Sequence, residues 1–212
     1  VSPALTFNVN RFYPFKRENA VKQNAIDKIG MSYLVEAKNR LYGIDSTLFK
    51  GNVIDSLSYG IKQSLPISTN FNLFKYITAT PQLYLNSYSY TKWIKKEWEP
   101  VQYYNGDINT PKYGVKNHVK NDFVTGFDAS FSTGFSSKIY FDYLFRKGKV
   151  KQIRHLMIPT LSYNYHPDFG TAQYGFWRKV QSDSLGNKSP YSIFEKSIFS
   201  GPTTGKLNGL SI

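Results

Sequence analysis

The 212-residue chain has no cysteine, which removes disulfide scaffolds and cysteine-ligated zinc from consideration. It is also short of acid: 14 Asp and Glu stand against 27 Lys and Arg, a formal charge of +13. Long apolar runs are missing too. The longest stretches free of charge, such as Tyr76 to Thr91, are broken by Thr, Ser, Asn and Gln, so none supplies the ~20 continuous apolar residues of a spanning helix. What the chain has in excess is aromatic side chains, 17 Tyr and 16 Phe among them, and a disordered segment is poor in those. It opens on Val1 with no leader-like segment and stops on Leu210-Ser211-Ile212 inside an apolar/polar alternation, so it is read as the interior of a longer protein.

The governing period is two. Ile29, Met31, Tyr33, Val35 and Ala37 alternate with Lys28, Gly30, Ser32, Glu36 and Lys38, Leu34 being the exception. Phe123, Phe127, Ala129, Phe131 and Phe135 face Val124, Gly126, Asp128, Ser130, Ser132 and Gly134. Successive strand residues point to opposite faces, so this is a strand signature. About seven strands are expected, roughly 2–9, 28–41, 56–69, 76–93, 122–145, 151–165 and 204–212, with no amphipathic helix.

Several of these exceed the five or six residues usual in soluble sheets and suffice to cross a bilayer, where ~9–11 tilted residues are needed. Their polar faces are rich in small and hydroxyl residues, and Tyr84, Tyr88, Tyr90, Trp93, Tyr163 and Tyr165 crowd near strand ends, as rings at a membrane interface do. The expected fold class is all-β, an antiparallel transmembrane β-barrel. Its lipid-facing set is Ile29, Met31, Val35, Ile61, Leu83, Leu85, Phe123, Phe127, Ala129 and Phe131. Its lumen-facing set is Lys38, Lys62, Asp128, Ser130 and Ser132. Connection lengths place 94–121 and 166–203 outside the cell and 10–27, 70–75 and 146–150 in the periplasm. Pro66, Pro81 and Pro159 fall inside expected strands, where a missing N–H leaves a gap in the ladder.

Nothing supports catalysis or a cofactor. Gly201-Pro202-Thr203-Thr204-Gly205-Lys206 is one residue short of a phosphate loop and continues into Leu207 with no helix behind it. His118, His155 and His166 have no metal-ligand spacing, and Asp122 and Asp128 lie ~20 Å apart along a strand. The run Arg146, Lys147, Lys149, Lys151, Arg154 contains no acid. It reads as a solvated turn or as an attractor of anionic lipid head groups in preference to nucleic acid, because the charges interrupt apolar strands. Arg11, Lys16, Arg17, Arg146, Lys149 and Lys151 are grouped as contacts for phosphates and acidic sugars.

Four stretches carry a resemblance. Ser2-Pro3-Ala4-Leu5-Thr6-Phe7-Asn8-Val9-Asn10-Arg11-Phe12-Tyr13-Pro14-Phe15-Lys16-Arg17, Tyr59 to Ser68, and Lys149 to Phe169 with its Arg154-His155, Pro159 and Pro167-Asp168-Phe169 are similar to the barrel of the lipopolysaccharide-assembly family LptD in its Bacteroidetes form. So are Tyr191 to Glu195 with Ser200-Gly201-Pro202. The resemblance implies an outer-membrane barrel without covalent chemistry. It receives lipopolysaccharide from periplasmic bridge proteins, is plugged by an LptE-like lipoprotein, and releases its cargo to the outer leaflet in contact with outer-membrane lipids. Residues 1–212 would be the central section of that barrel, without its periplasmic jelly-roll or its ends. Another outer-membrane barrel, a porin or solute channel, stays open as the alternative. An outer-membrane enzyme and a soluble binding module are more distant rivals.

Overall fold

The computed structural model describes residues 4–18, 23–41, 57–101 and 112–212. The first half runs β1 (Ala4–Phe12), β2 (Gly30–Leu41), β3 (Leu57–Ser68), β4 (Phe71–Leu73), β5 (Ile77–Tyr90), β6 (Trp93–Val101) and β7 (Lys112–Lys120). The second half runs β8 (Val124–Ser137), β9 (Ile139–Leu144), β10 (Gln152–Met157), β11 (Thr160–His166), β12 (Trp177–Gln181), β13 (Lys188–Ser192) and β14 (Leu207–Ser211). One antiparallel sheet runs β1-β2-β3-β5-β8-β11-β14, with β4 added beside β5, and three two-stranded ribbons, β6–β7, β9–β10 and β12–β13, complete the fold. Each of the seven expected strands has a counterpart in this sheet, but 122–145 and 151–165 each break in two, their outer parts forming the separate β9–β10 ribbon.

Register fixes the faces. Val35 pairs with Phe7 and Gln63, Leu83 with Ile67 and Phe131, and Leu85 with Leu65 and Ala129. Met31, Val35, Ile61, Leu83, Leu85, Phe127, Ala129 and Phe131 therefore share one face. Lys38, Lys62, Asp128, Ser130 and Ser132 share the other. Two expected members are not placed by the sheet. Ile29 closes a 3₁₀ turn, Ile26–Lys28, by donating its N–H to Ile26 O at 3.1 Å, and Phe123 precedes β8.

The apolar face is uncovered over most of its extent: Leu5, Phe7, Ile61, Leu85, Leu161 and Leu210 are all exposed. The chain presents 15900 Å² to solvent, against about 10,000 Å² for a compact water-soluble chain of this size. Large apolar side chains on one continuous face contribute to that excess, and an exposed apolar patch of this kind marks a surface meant to be covered. β5 and β8, at 14 residues each, are about 46 Å long at 3.3 Å per residue. Tilted by 45° they span about 32 Å, enough for the ~30 Å hydrocarbon core.

The prolines act as expected of residues that cannot donate. The β2–β3 ladder skips Ser32 and Tyr33, opposite Leu65 and Pro66. Pro81 sits where pairing to β5 passes from β3 to β4. At Pro159 the N–H of Ser137 still reaches the proline carbonyl at 3.3 Å, but no bond returns, and the hairpin breaks into β8–β11 and β9–β10.

Candidate functional site

The buried core lies at one end of the sheet, on its polar face. The chain leaves β11 at His166 and comes back at Leu207, which pairs with His166, so the segment between begins and ends at one place. Asp168 fastens it: one carboxylate oxygen accepts the N–H of Gly170 and that of Gly205, both at 2.8 Å. These bonds hold the Asp168 carboxyl below the usual carboxylate range, the Gly205 bond first. Gly170 packs so close to Thr204 that a Cβ there would sit 2.6 Å from its methyl.

The segment then folds over the sheet. Phe194, 1% exposed, lies on Gly126, where a Cβ would come within 2.9 Å of the ring. Tyr90 contributes its ring, 5.3 Å from that of Phe194, and its hydroxyl, which donates to Phe199 O. Trp177 Nε1 donates to Pro202 O at 3.0 Å. Tyr88, Phe169, Phe176, Val180, Tyr191 and Ile193 complete the cluster. Phe127, from the opposite face, reaches around the exposed edge of β8 to meet Phe169, Tyr174 and Phe176 edge-to-face.

The described residues of the connection 94–121, expected as a polar loop, form the β6–β7 ribbon and belong to this cap. Ile94 N donates to Ile193 O at 3.0 Å, Ile193 N to Phe176 O at 3.1 Å, and Lys96 Nζ meets Glu195 at 2.6 Å. The ribbon also brings His118 Nε2 to Glu99 at 2.7 Å and to Glu97 at 3.6 Å. No local spacing announces that meeting, since the two sides of the ribbon are joined only by their register. Lys95 and Lys116 occupy the remaining carboxylate oxygens. Lys95, first among the neighbours, holds Glu97 below its ordinary value.

Below the cap the polar face carries a hydrogen-bonded pair of strands. Asp128 accepts from Asn86 Nδ2 at 2.7 Å and from the Tyr88 hydroxyl at 2.8 Å. Lys62 lies over the Tyr88 ring and Lys38 over Phe199. Small residues, Ser130, Ser132 and Gly134, continue the face toward the far end.

At that far end lie, by strand direction, the described residues between β1 and β2 and the connections 69–76 and 138–159. The six basic residues grouped from the sequence are therefore at one end, but they are not equivalent. Arg17 forks onto Asp27, Nε to Oδ1 at 2.8 Å and Nη2 to Oδ2 at 2.7 Å. Asp27 is 3% exposed and also accepts Asn24 N; Arg17 holds it well below the carboxylate range. Arg11 donates to Ser68 O at 3.3 Å and covers the Tyr13 ring. Lys16, Arg146, Lys149 and Lys151 are exposed, and the last three share one turn.

The site is thus a sheet with one bare apolar face, one polar face and an ordered cap at one end. The family described as "LptD protein" matches the chain over residues 1–212. The chain belongs to the LptD family. No curated protein and no solved structure matches it significantly. LptD is a non-enzymatic outer-membrane protein of lipopolysaccharide assembly, and membership implies lipopolysaccharide and LptE as its partners. The solute channel held open from the sequence gives way to this reading. Within LptD, the Pro167-Asp168-Phe169 stretch gains a physical role that its spelling did not disclose: Asp168 pins the cap's two ends and Phe169, 2% exposed, fills its core.

Proposed function

We propose that this sheet is an arc from the central section of a larger LptD barrel, with its bare face in lipid and its polar face toward the lumen. In this reading the chain moves lipopolysaccharide from periplasmic bridge proteins to the outer leaflet, around an LptE-like lipoprotein plug. The observation that carries it is the division of faces. One is apolar and uncovered, while the other holds Lys38, Lys62 and Asp128 among small hydroxyl residues. Such a division suits a wall between hydrocarbon and water. The sheet's two outer strands, β1 and β14, have one paired neighbour each among the described residues, and further strands would continue it on both sides.

The capped end lies outside the cell and the far end in the periplasm. Longer external loops and shorter periplasmic turns are usual in such barrels, and the cap is the longest connection described. An impermeant amine reagent applied to intact cells will modify Lys188 on the cap and spare Lys149; the reverse pattern would invert the topology.

Basic residues at the periplasmic end draw anionic lipid, lipopolysaccharide included, toward the mouth. Lys16, Arg146, Lys149 and Lys151 carry most of that attraction, because Arg17 is neutralised by Asp27 and Arg11 is engaged by Ser68. Each exposed charge is worth only a few tenths of a kcal/mol after screening, so single substitutions will be nearly silent. Changing Arg146, Lys147, Lys149 and Lys151 together to Gln will slow the appearance of surface lipopolysaccharide in a depletion strain at unchanged barrel level. The deficit will be larger at low salt, where the Debye length is longer. Restoration at the wild-type rate would reduce the cluster to a solvated turn.

A further inference from the structure

The hairpin that breaks at Pro159 keeps its register across the break: Ser136 faces Thr160 before it and Ile139 faces Met157 after it. The outer part, β9 and β10, pairs only with itself and is exposed at every residue. It projects about 20 Å beyond the sheet, six residues at 3.3 Å each. An isolated two-stranded ribbon is marginal in water, and this one is also strongly apolar.

Its two faces differ. Ile139, Phe141 and Tyr143, opposite Met157, His155 and Ile153, continue the bare apolar face of the sheet. On the other face Arg154 and Asp142 close on each other, Nε to Oδ1 at 2.7 Å, among Tyr140, Leu144, Leu156 and Gln152. At the tip Gly148, at φ +108°, turns the chain, and Phe145 N donates to Lys151 O at 2.9 Å. Arg146, Lys147, Lys149 and Lys151 crowd there with no acid among them. The neighbouring connections at this end repeat the pairing of exposed ring with cation. Phe74 is 85% exposed beside Lys75, and Tyr13 and Phe15 are exposed beside Lys16.

We propose that residues 139–157 lie in the head-group layer at the periplasmic end, the apolar side of the hairpin against acyl chains and its tip cations on the phosphates of anionic phospholipids. The inference rests on the sheet's bare face being in lipid and adds where the hairpin goes. Aromatic rings with Lys and Arg at their margin are the composition of an interfacial segment, and anionic leaflets attract basic clusters placed next to them. A protein partner for the tip would have to bring acids to match four cations, and the only acid on the ribbon, Asp142, is already engaged by Arg154.

The chain's lack of cysteine permits a direct test. In the full-length protein, with any cysteine elsewhere replaced, Tyr143→Cys and Phe131→Cys are labelled singly with an environment-sensitive fluorophore. The protein is then reconstituted into phosphatidylcholine bilayers with or without phosphatidylglycerol, using brominated lipid as quencher. The label at 131 will be quenched in both. The label at 143 will be blue-shifted and quenched by lipid brominated near the head group. That quenching will be roughly halved when phosphatidylglycerol is omitted or the four tip cations are changed to Gln. Water-like emission at 143 with quenching at 131 overturns the inference, as does a shielded but unquenched label at 143, which would mean a protein contact. An unquenched label at 131 instead overturns the bare-face reading, and the inference with it.

Discussion

Replacing Phe194 by alanine will detach the cap while leaving the sheet paired. The ring is fully buried, and it fills the space left by two residues without side chains, Gly126 beneath it and Gly201 beside it. It also meets the rings of Tyr90 and Phe176. Removing such a ring from a packed site costs about 3–5 kcal/mol. The cap has one small aromatic cluster and no second layer to absorb the loss. Protease cleavage between Phe169 and Pro202 in detergent-folded protein should rise by about two to four orders of magnitude if it tracks cap opening. Resistance of β8 should be unchanged. Asp168→Asn will act on the same cap from its base, and more weakly. The depressed carboxyl of Asp168 stabilises the folded form above the unfolded value of about 4 and loses that effect as pH falls through its lower native value. Acid should therefore loosen the wild-type cap and change the Asp168→Asn variant less. Equal cleavage of Phe194→Ala and wild type would mean that the β6–β7 contacts alone hold the cap.

Leu83→Arg will separate the two faces energetically. Leu83 lies mid-strand in β5 between Ile67 and Phe131, with apolar neighbours on both sides. An arginine on the lipid side near the midplane costs about 2–4 kcal/mol in an outer-membrane barrel. Ser132→Lys, on the neighbouring strand and the opposite face, should cost close to nothing if that side is the lumen side proposed above. Urea unfolding of the two variants in phospholipid bilayers gives the comparison, and equal costs would mean that the apolar face is not the one in lipid. Phe127, which alternation marks equally well, is a poorer probe. Its ring is 48% exposed and rests on Phe169, Tyr174 and Phe176, so its replacement mixes lipid exposure with cap packing.

That difference between Leu83 and Phe127 shows where alternation stops being informative. Period two assigns a face, and the register puts both residues on the same one. It carries nothing about which connection folds back over which strand. The β6–β7 ribbon escaped notice because Ile94, Lys96 and Trp98 alternate with Lys95, Glu97 and Glu99; charge on both sides leaves little contrast to read. β12 and β13 are five residues each, and β13 contains Pro190. Nothing local announces the role of Asp168, since its second partner, the Gly205 N–H, is 37 positions away. The basic residues were found by composition, which cannot tell the forked Arg17–Asp27 pair from the unengaged lysines of the hairpin tip. Strand 28–41 begins two residues later than its alternation suggests, because Asp27 gathers Arg17 and Asn24 into a turn there.

The order of the long strands across the sheet is their order along the chain, and every ribbon inserted between them pairs within itself. No strand has to pass between two others already joined. The sheet can therefore be laid down in sequence, each new strand bonding to the edge left by the one before, with a single growing margin at any moment. Pairings between neighbours in sequence cost little loop-closure entropy, and even the widest gap, from His166 to Leu207, is drawn together at its base by Asp168. Such a chain can be added to a membrane from one side in time as well as in space, and its last strand is always the one still able to accept the next.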